Sequence, residues 1–143
     1  MNIKFKRFDK SLNIPEQKTN GAACLDLTAR VNTTIPANSF GYIPLNIAIE
    51  IPEGYWGLLA ARSSTHKLGL LCGNGIGIID SDFRGNNDEL NFIVYNVTNK
   101  EVIVEKGTRI AQISLVKNVE LNLTEVDYLS NKDRGGIGST GHK

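Results

Sequence analysis

A period of two, repeated in short runs that are cut by turn residues, constrains this chain more than any other feature. Ile47, Ile49 and Ile51 alternate with Ala48 and Glu50, and Val102 and Val104 flank Ile103 between Glu101 and Glu105. Ile110 to Val116 is an apolar-rich run with polar interruptions, and Leu121 and Leu123 alternate with Asn122 and Thr124. Alternation of this kind puts one set of side chains on each face of a strand. The runs are separated by turn signals at Pro36-Ala37-Asn38, Pro52-Glu53-Gly54, Thr98-Asn99-Lys100 and Lys106-Gly107. Short strands between such turns predict an all-β fold, a sandwich or a barrel. The first eight residues alternate apolar and basic side chains and read as a first strand, not as the continuous apolar stretch of a signal peptide. One short helix is expected at Ser63–Gly69, with serine capping its start and Gly69 ending it.

Composition narrows the class. At 143 residues the chain has the length of one domain and buries enough surface for a real core. A net charge of +1 gives no bulk electrostatic case for coating nucleic acid or lying on a membrane, and no apolar stretch has the length of a membrane span. Cys24 and Cys72 form no Cys-x-x-Cys pair and read as reduced thiols in a cytoplasmic, intracellular protein. His66 and His142 have no partner cysteines, so a zinc site is not expected. Residues 130–143 contain one aliphatic side chain and four glycines. They are expected to form a mobile arm on a β domain of residues 1–129. Glycine backbone beside Ser139, Thr140, Lys132 and Arg134 also suits a phosphate.

The segment Gly77-Ile78-Ile79-Asp80-Ser81-Asp82-Phe83-Arg84-Gly85 carries the strongest chemical signal. An apolar run ends at an acid, followed by a second acid, an aromatic ring and an arginine. A carboxylate at a strand end can be held still by the core while it faces a pocket. Arg62-Ser63-Ser64 follows the apolar run Tyr55–Ala60 and places a cation and two hydroxyls where a helix begins, an arrangement that suits an anion or serves as a plain cap. Asp26 lies between Leu25 and Leu27. A carboxylate there needs backbone N–H groups, an arginine or a hydrated metal to offset its burial. Arg109 and Gln112, three residues apart on one strand, are expected on opposite faces. Asn74 reads first as a turn residue, and its amide can also meet a base edge.

Together these segments resemble the trimeric dUTPases (deoxyuridine triphosphate nucleotidohydrolases). Five stretches occur in the family's order: Ala22-Ala23-Cys24-Leu25-Asp26-Leu27, Arg62-Ser63-Ser64, Gly77 to Gly85, Gly107-Thr108-Arg109-Ile110-Ala111-Gln112, and Gly136-Ile137-Gly138-Ser139-Thr140-Gly141. The resemblance implies a jelly-roll-like β fold, a homotrimer with active sites shared between subunits, and Mg²⁺-dependent hydrolysis of dUTP to dUMP and pyrophosphate. It assigns Asp80 to the attacking water and Asp26 to the magnesium hydration shell, through water. Arg62, Ser63, Ser64 and Gln112 fall on the triphosphate. Asn74 and the backbone from Gly75 to Ile79, Gly77 included, read the uracil. Phe83 packs under the deoxyribose, and the arm with Ile137, Gly138 and Ser139 closes the site.

This chain departs from the family pattern at three places. Phe83 stands where tyrosine is usual, Ile137 where a phenylalanine covers the base, and either Lys132 or Arg134 takes the slot of the arm's arginine. Two rival readings remain at this point. One is a dCTP deaminase of the same fold, for which Glu89 would be the base-directed acid. The other is a nucleotide-binding regulatory module without turnover.

Overall fold

The structure is a computed structural model that describes residues 1–136, and every strand pairing in it is antiparallel. The larger sheet runs β2 (Leu25–Thr28), β11 (Arg109–Lys117), β6 (Tyr55–Ala61), β8 (Gly77–Ile79). A three-stranded sheet runs β4 (Phe40–Pro44), β9 (Asn91–Asn96), β7 (Leu70–Cys72). Two ribbons complete the fold: β1 (Phe5–Arg7) with β5 (Ile47–Ile49), and β3 (Thr33–Ile35) with β10 (Val102–Val104). The all-β class read from the period of two is the class observed.

The alternation works as a sorting rule. In β9, Phe92 and Val94 point inward and are buried, while Asn91 is exposed. They meet Leu27, Ile35, Ile43, Leu59, Ile110 and Ile113 from the other strands in one core. Each such side chain contributes roughly 1.5–3 kcal/mol by leaving water. One inward position of β9 is polar. Asn96 is fully buried and donates to the carbonyls of Ile35 (3.1 Å), Pro36 (3.1 Å) and Lys100 (2.7 Å), which ties two turns to the sheet. A buried amide is tolerated because its hydrogen bonds are made.

Two features position the site. The chain changes sheet between β7 and β8, through the turn Gly73–Ile76, so β8 joins the edge of the larger sheet beside β6. Close approach there depends on glycine: a Cβ on Gly77 would lie 3.1 Å from the Leu59 Cβ. The expected helix is shorter than its sequence span, a 3₁₀ turn over Thr65–Leu68 that ends on Gly69 in the left-handed conformation, with φ at 75°. Ser64 occupies the cap position but its hydroxyl makes no capping bond.

The alternation at Leu121 and Leu123 does not produce a strand. No helix or strand is assigned from 118 to 136, and these two leucines are 78% and 93% exposed. The pattern has apolar positions but no neighbouring strand among the described residues to cover them. Ile137, Gly138 and Ser139 lie outside the described residues. Among the described residues no helix is long and apolar enough to cross a membrane.

Candidate functional site

The end of β6 and the start of β11 build a rigid corner. In register, Gln112 lies between Ala60 of β6 and Asp26 of β2. Its amide donates to the Ala61 carbonyl at 2.9 Å, locking the last residue of β6. Next along the chain, the Arg62 N–H donates to the Thr65 hydroxyl (3.0 Å), which in turn donates to the Ile110 carbonyl (2.9 Å). Thr65 is 2% exposed. This threonine thus fastens the Arg62 backbone to β11. The hydroxyls of Ser63 and Ser64 are exposed and have no protein partner among the described residues, which leaves them open to a ligand.

Arg109 and Gln112 were expected on opposite faces, and the structure overturns that. The register shifts between Arg109 and Ala111, so Ile110 and Ala111 are both buried and the alternation restarts. A bulge re-aims the side chain beside it. Arg109 and Gln112 therefore share a face with Asp26. The Asp26 carboxylate accepts from Arg62 Nε at 2.9 Å on one oxygen and from Arg109 Nη1 at 3.1 Å on the other. Arg62 Nη1 also donates to the Arg109 carbonyl at 3.2 Å. The cost of placing an acid between two leucines is thus offset by two guanidinium groups. One carboxylate and two arginines leave this corner with a net positive charge, which suits a polyanion.

Asp80 is elsewhere. Ile79 pairs with Gly57, near the opposite end of β6 from Arg62. Asp80 lies one residue beyond that pair and Arg62 five residues the other way, a separation of about 20 Å at a strand's rise per residue. Asp80 is exposed beside Tyr55, Trp56, Ile78 and Asn118, and its carbonyl accepts the Phe83 N–H at 3.2 Å to close a turn. Ile78, 62% exposed, lines the same depression, and Phe83, 41% exposed, follows three residues after Asp80 in the turn. Asn74 is exposed at the turn before β8, and its amide oxygen accepts from the Cys72 thiol at 3.3 Å. Burial raises the Cys72 pKa, which keeps that thiol protonated as a donor. On its open side β8 pairs with no strand among the described residues, so backbone groups of Gly77 to Ile79 remain to meet a ligand edge. Arg84 turns away, with Nη2 3.6 Å from Glu53.

Glu89 is committed to structure. Its two oxygens accept from Arg30 Nε (2.7 Å) and Nη2 (2.9 Å), and one also accepts the Asn46 N–H (2.9 Å). That fork removes the acid a deaminase reading would use. Lys132 and Arg134 are exposed in the extended segment after β11. No group of three or more His, Cys, Asp or Glu side chains that could hold a metal exists among the described residues. A magnesium ion arriving on phosphate oxygens needs no such cage, since it retains waters and takes one or two carboxylates. Asp26, with one lone-pair direction per oxygen still unused, fits a water-mediated contact of that kind. Sequence reasoning gave no role to Thr65 or Arg109. The buried hydroxyl is silent in sequence, and the bulge that aims Arg109 leaves no local mark.

The family model for dUTPase matches residues 10–141. The chain belongs to the dUTPase family. A SPbeta prophage-derived deoxyuridine 5'-triphosphate nucleotidohydrolase of Bacillus subtilis is 38% identical over the full length of both chains. A deoxyuridine 5'-triphosphate nucleotidohydrolase of Rickettsia prowazekii is 37% identical over 97% of this chain and 96% of its own. Among solved structures, the dUTPase of Staphylococcus bacteriophage 80alpha, as a mutant with dUpNHpp, superposes with a TM-score of 0.85 at 22% identity over 98% of each chain, a likeness of fold. The present dUTPase therefore has the fold of its relatives.

Proposed function

We propose that this dUTPase hydrolyses dUTP to dUMP and pyrophosphate at sites assembled between the subunits of a homotrimer. One observation carries the reading. A positive corner and a carboxylate-bearing, ligand-facing turn are both built, yet they stand about 20 Å apart on one chain. A triphosphate held by Arg62 cannot have its α-phosphorus attacked by a water on Asp80 of the same subunit. Apposition of two copies brings the halves together. The uncovered Leu121, Leu123 and Tyr128, 78%, 93% and 82% exposed, support further contact between copies.

In the assembled site Asp80 holds the attacking water and accepts its proton, in line with the bond to the leaving pyrophosphate. A positioned base of this kind typically contributes about 10²–10⁴-fold. Arg62, Ser63, Ser64 and Gln112 hold the triphosphate, and Asp26 faces the hydration shell of Mg²⁺. Mg²⁺ bound with the triphosphate would supply neutralisation of phosphate charge, and Asp26 is the residue that would hold its waters. Asn74 with the β8 backbone from Gly77 to Ile79 reads the uracil edge. The Cys72 thiol takes one of the two lone pairs of the Asn74 oxygen, and the Asn74 NH₂, without a partner among the described residues, is a donor that complements the uracil 4-carbonyl. Phe83 lies under the deoxyribose. The arm, through Lys132 or Arg134 and then Ile137, Gly138 and Ser139, covers a neighbour's nucleotide. Two free thiols suit the reducing cytoplasm.

Pyrophosphate release measured with dUTP, dCTP, UTP and dTTP tests the reading. We expect turnover of dUTP at a kcat/KM on the order of 10⁴ above the others, the scale of a site whose buried polar groups go unpaired with the wrong ligand. Ammonia release from dCTP, or no turnover of dUTP in the presence of Mg²⁺, overturns it.

A further inference from the structure

We infer that Arg109 is a positioning residue for the triphosphate: through Asp26 and its own carbonyl it fixes the direction in which Arg62 presents its guanidinium. The inference rests on the proposed role of Arg62 at the triphosphate and assigns a new residue to that site.

The geometry is a closed frame. Arg62 Nε is held by one Asp26 oxygen at 2.9 Å and Nη1 by the Arg109 carbonyl at 3.2 Å. The other Asp26 oxygen is held by Arg109 Nη1 at 3.1 Å. Two edges of the planar Arg62 fork are thereby used, and Nη2 is the nitrogen without a partner among the described residues. A guanidinium fixed at two nitrogens can aim its third at only one region of space. Its backbone is fixed too, through Thr65 and the Ile110 carbonyl. Both anchors belong to the bulged start of β11, so the bulge supplies the Arg109 side chain, the Arg109 carbonyl and the Ile110 carbonyl at once.

Arg109 has a second consequence for a polyanion. Without it, Asp26 and Arg62 form a neutral pair, and the corner loses its excess positive charge. The exposures grade the roles: the side chains of Asp26 and Arg62 are 14% and 23% exposed, whereas Arg109 is 44% exposed. Arg109 is therefore the outer member of the frame, and its removal leaves the core untouched. The ligand that senses it is the one with β- and γ-phosphates, since a monophosphate places far less charge at this corner.

Arg109→Ala, Arg109→Lys and Arg62→Lys provide the test, each read by the Kd of a non-hydrolysable dUTP analogue with Mg²⁺, the Kd of dUMP, and the thermal midpoint. We expect Arg109→Ala to weaken the triphosphate analogue about tenfold, the scale of one charge-assisted hydrogen bond, with dUMP affinity nearly unchanged and only a small fall in the thermal midpoint, since Arg62 still holds Asp26. Arg109→Lys recovers most of the loss, because a single nitrogen makes the contact to Asp26. Arg62→Lys does not recover, because two nitrogens of that fork are used. Equal losses for the analogue and dUMP, or unchanged affinity in Arg109→Ala, overturn the inference. Failure of the proposed function is separately visible as a wild-type protein that binds and turns over no dUTP.

Discussion

At the scale of single residues, the two acids of the proposed site are held in opposite ways. Asp26 is 14% exposed and gripped by two arginines, so its position is fixed before any ligand arrives. Asp80 is exposed, and among the described residues it is held through its backbone turn, which leaves its carboxylate open to a water. A residue that acts in the transition state and contributes little to the fold gives a clean mutational signature. Asp80→Asn is expected to keep the thermal midpoint and the affinity for a dUTP analogue while kcat falls about 10²–10⁴-fold. Steady-state kinetics beside a binding titration check this, and a kcat near that of the wild type removes Asp80 from the mechanism. The need of Asp26 for a partner was legible, because an acid between leucines must be satisfied. The identity of the partners was not, since Arg62 and Arg109 lie 36 and 83 residues away in sequence.

At the scale of elements, the start of β11 does more than its sequence suggests. A strict period of two places Arg109 and Gln112 on opposite faces. The bulge at Ile110 reverses this, and bulges of this type carry no residue signature unless glycine marks them. The same bulge exposes the Ile110 carbonyl to the Thr65 hydroxyl, so β11 and the 3₁₀ turn are fastened at the residue that sets Arg62. Thr65→Val keeps the shape of this buried side chain but leaves the Arg62 N–H and the Ile110 carbonyl without that partner. The expected cost is about 1–3 kcal/mol of stability, read by denaturant unfolding. A several-fold rise in KM for dUTP should accompany it as Arg62 loosens. An unchanged midpoint and KM would mean the bridge is ornamental. The strand at β10, between the turns at Thr98–Lys100 and Lys106–Gly107, is legible in sequence, whereas β5 ends at Ile49 and buries Ala48 beside its isoleucines, so alternation does not sort its faces. The helix was overestimated because its serine hydroxyls, which cap in many proteins, stay unengaged here.

At the scale of the whole molecule, the proposed division of the site between subunits is testable more sharply than any single substitution. If Arg62 and Asp26 serve a nucleotide whose water is held by Asp80 of another copy, two dead proteins can repair each other. Asp80→Asn subunits retain the positive corner, and Arg62→Ala subunits retain the carboxylate turn. Mixed trimers made by co-expression or joint refolding contain interfaces where an intact corner faces an intact turn. With equal amounts and random assembly, each interface has an even chance of the right subunit on each side. About a quarter of the wild-type activity should then return, although either variant alone is inactive. Were both halves to act within one chain, every chain would lack one of them and the mixture would stay silent. The Leu121–Leu123 pattern belongs to this scale as well. Its alternation reads as a strand and no strand among the described residues pairs with it, as expected of a segment shaped for a surface on another copy. Changing both leucines to serine should lower the recovered activity of the mixture and the trimer content in sedimentation together, because both depend on the same association.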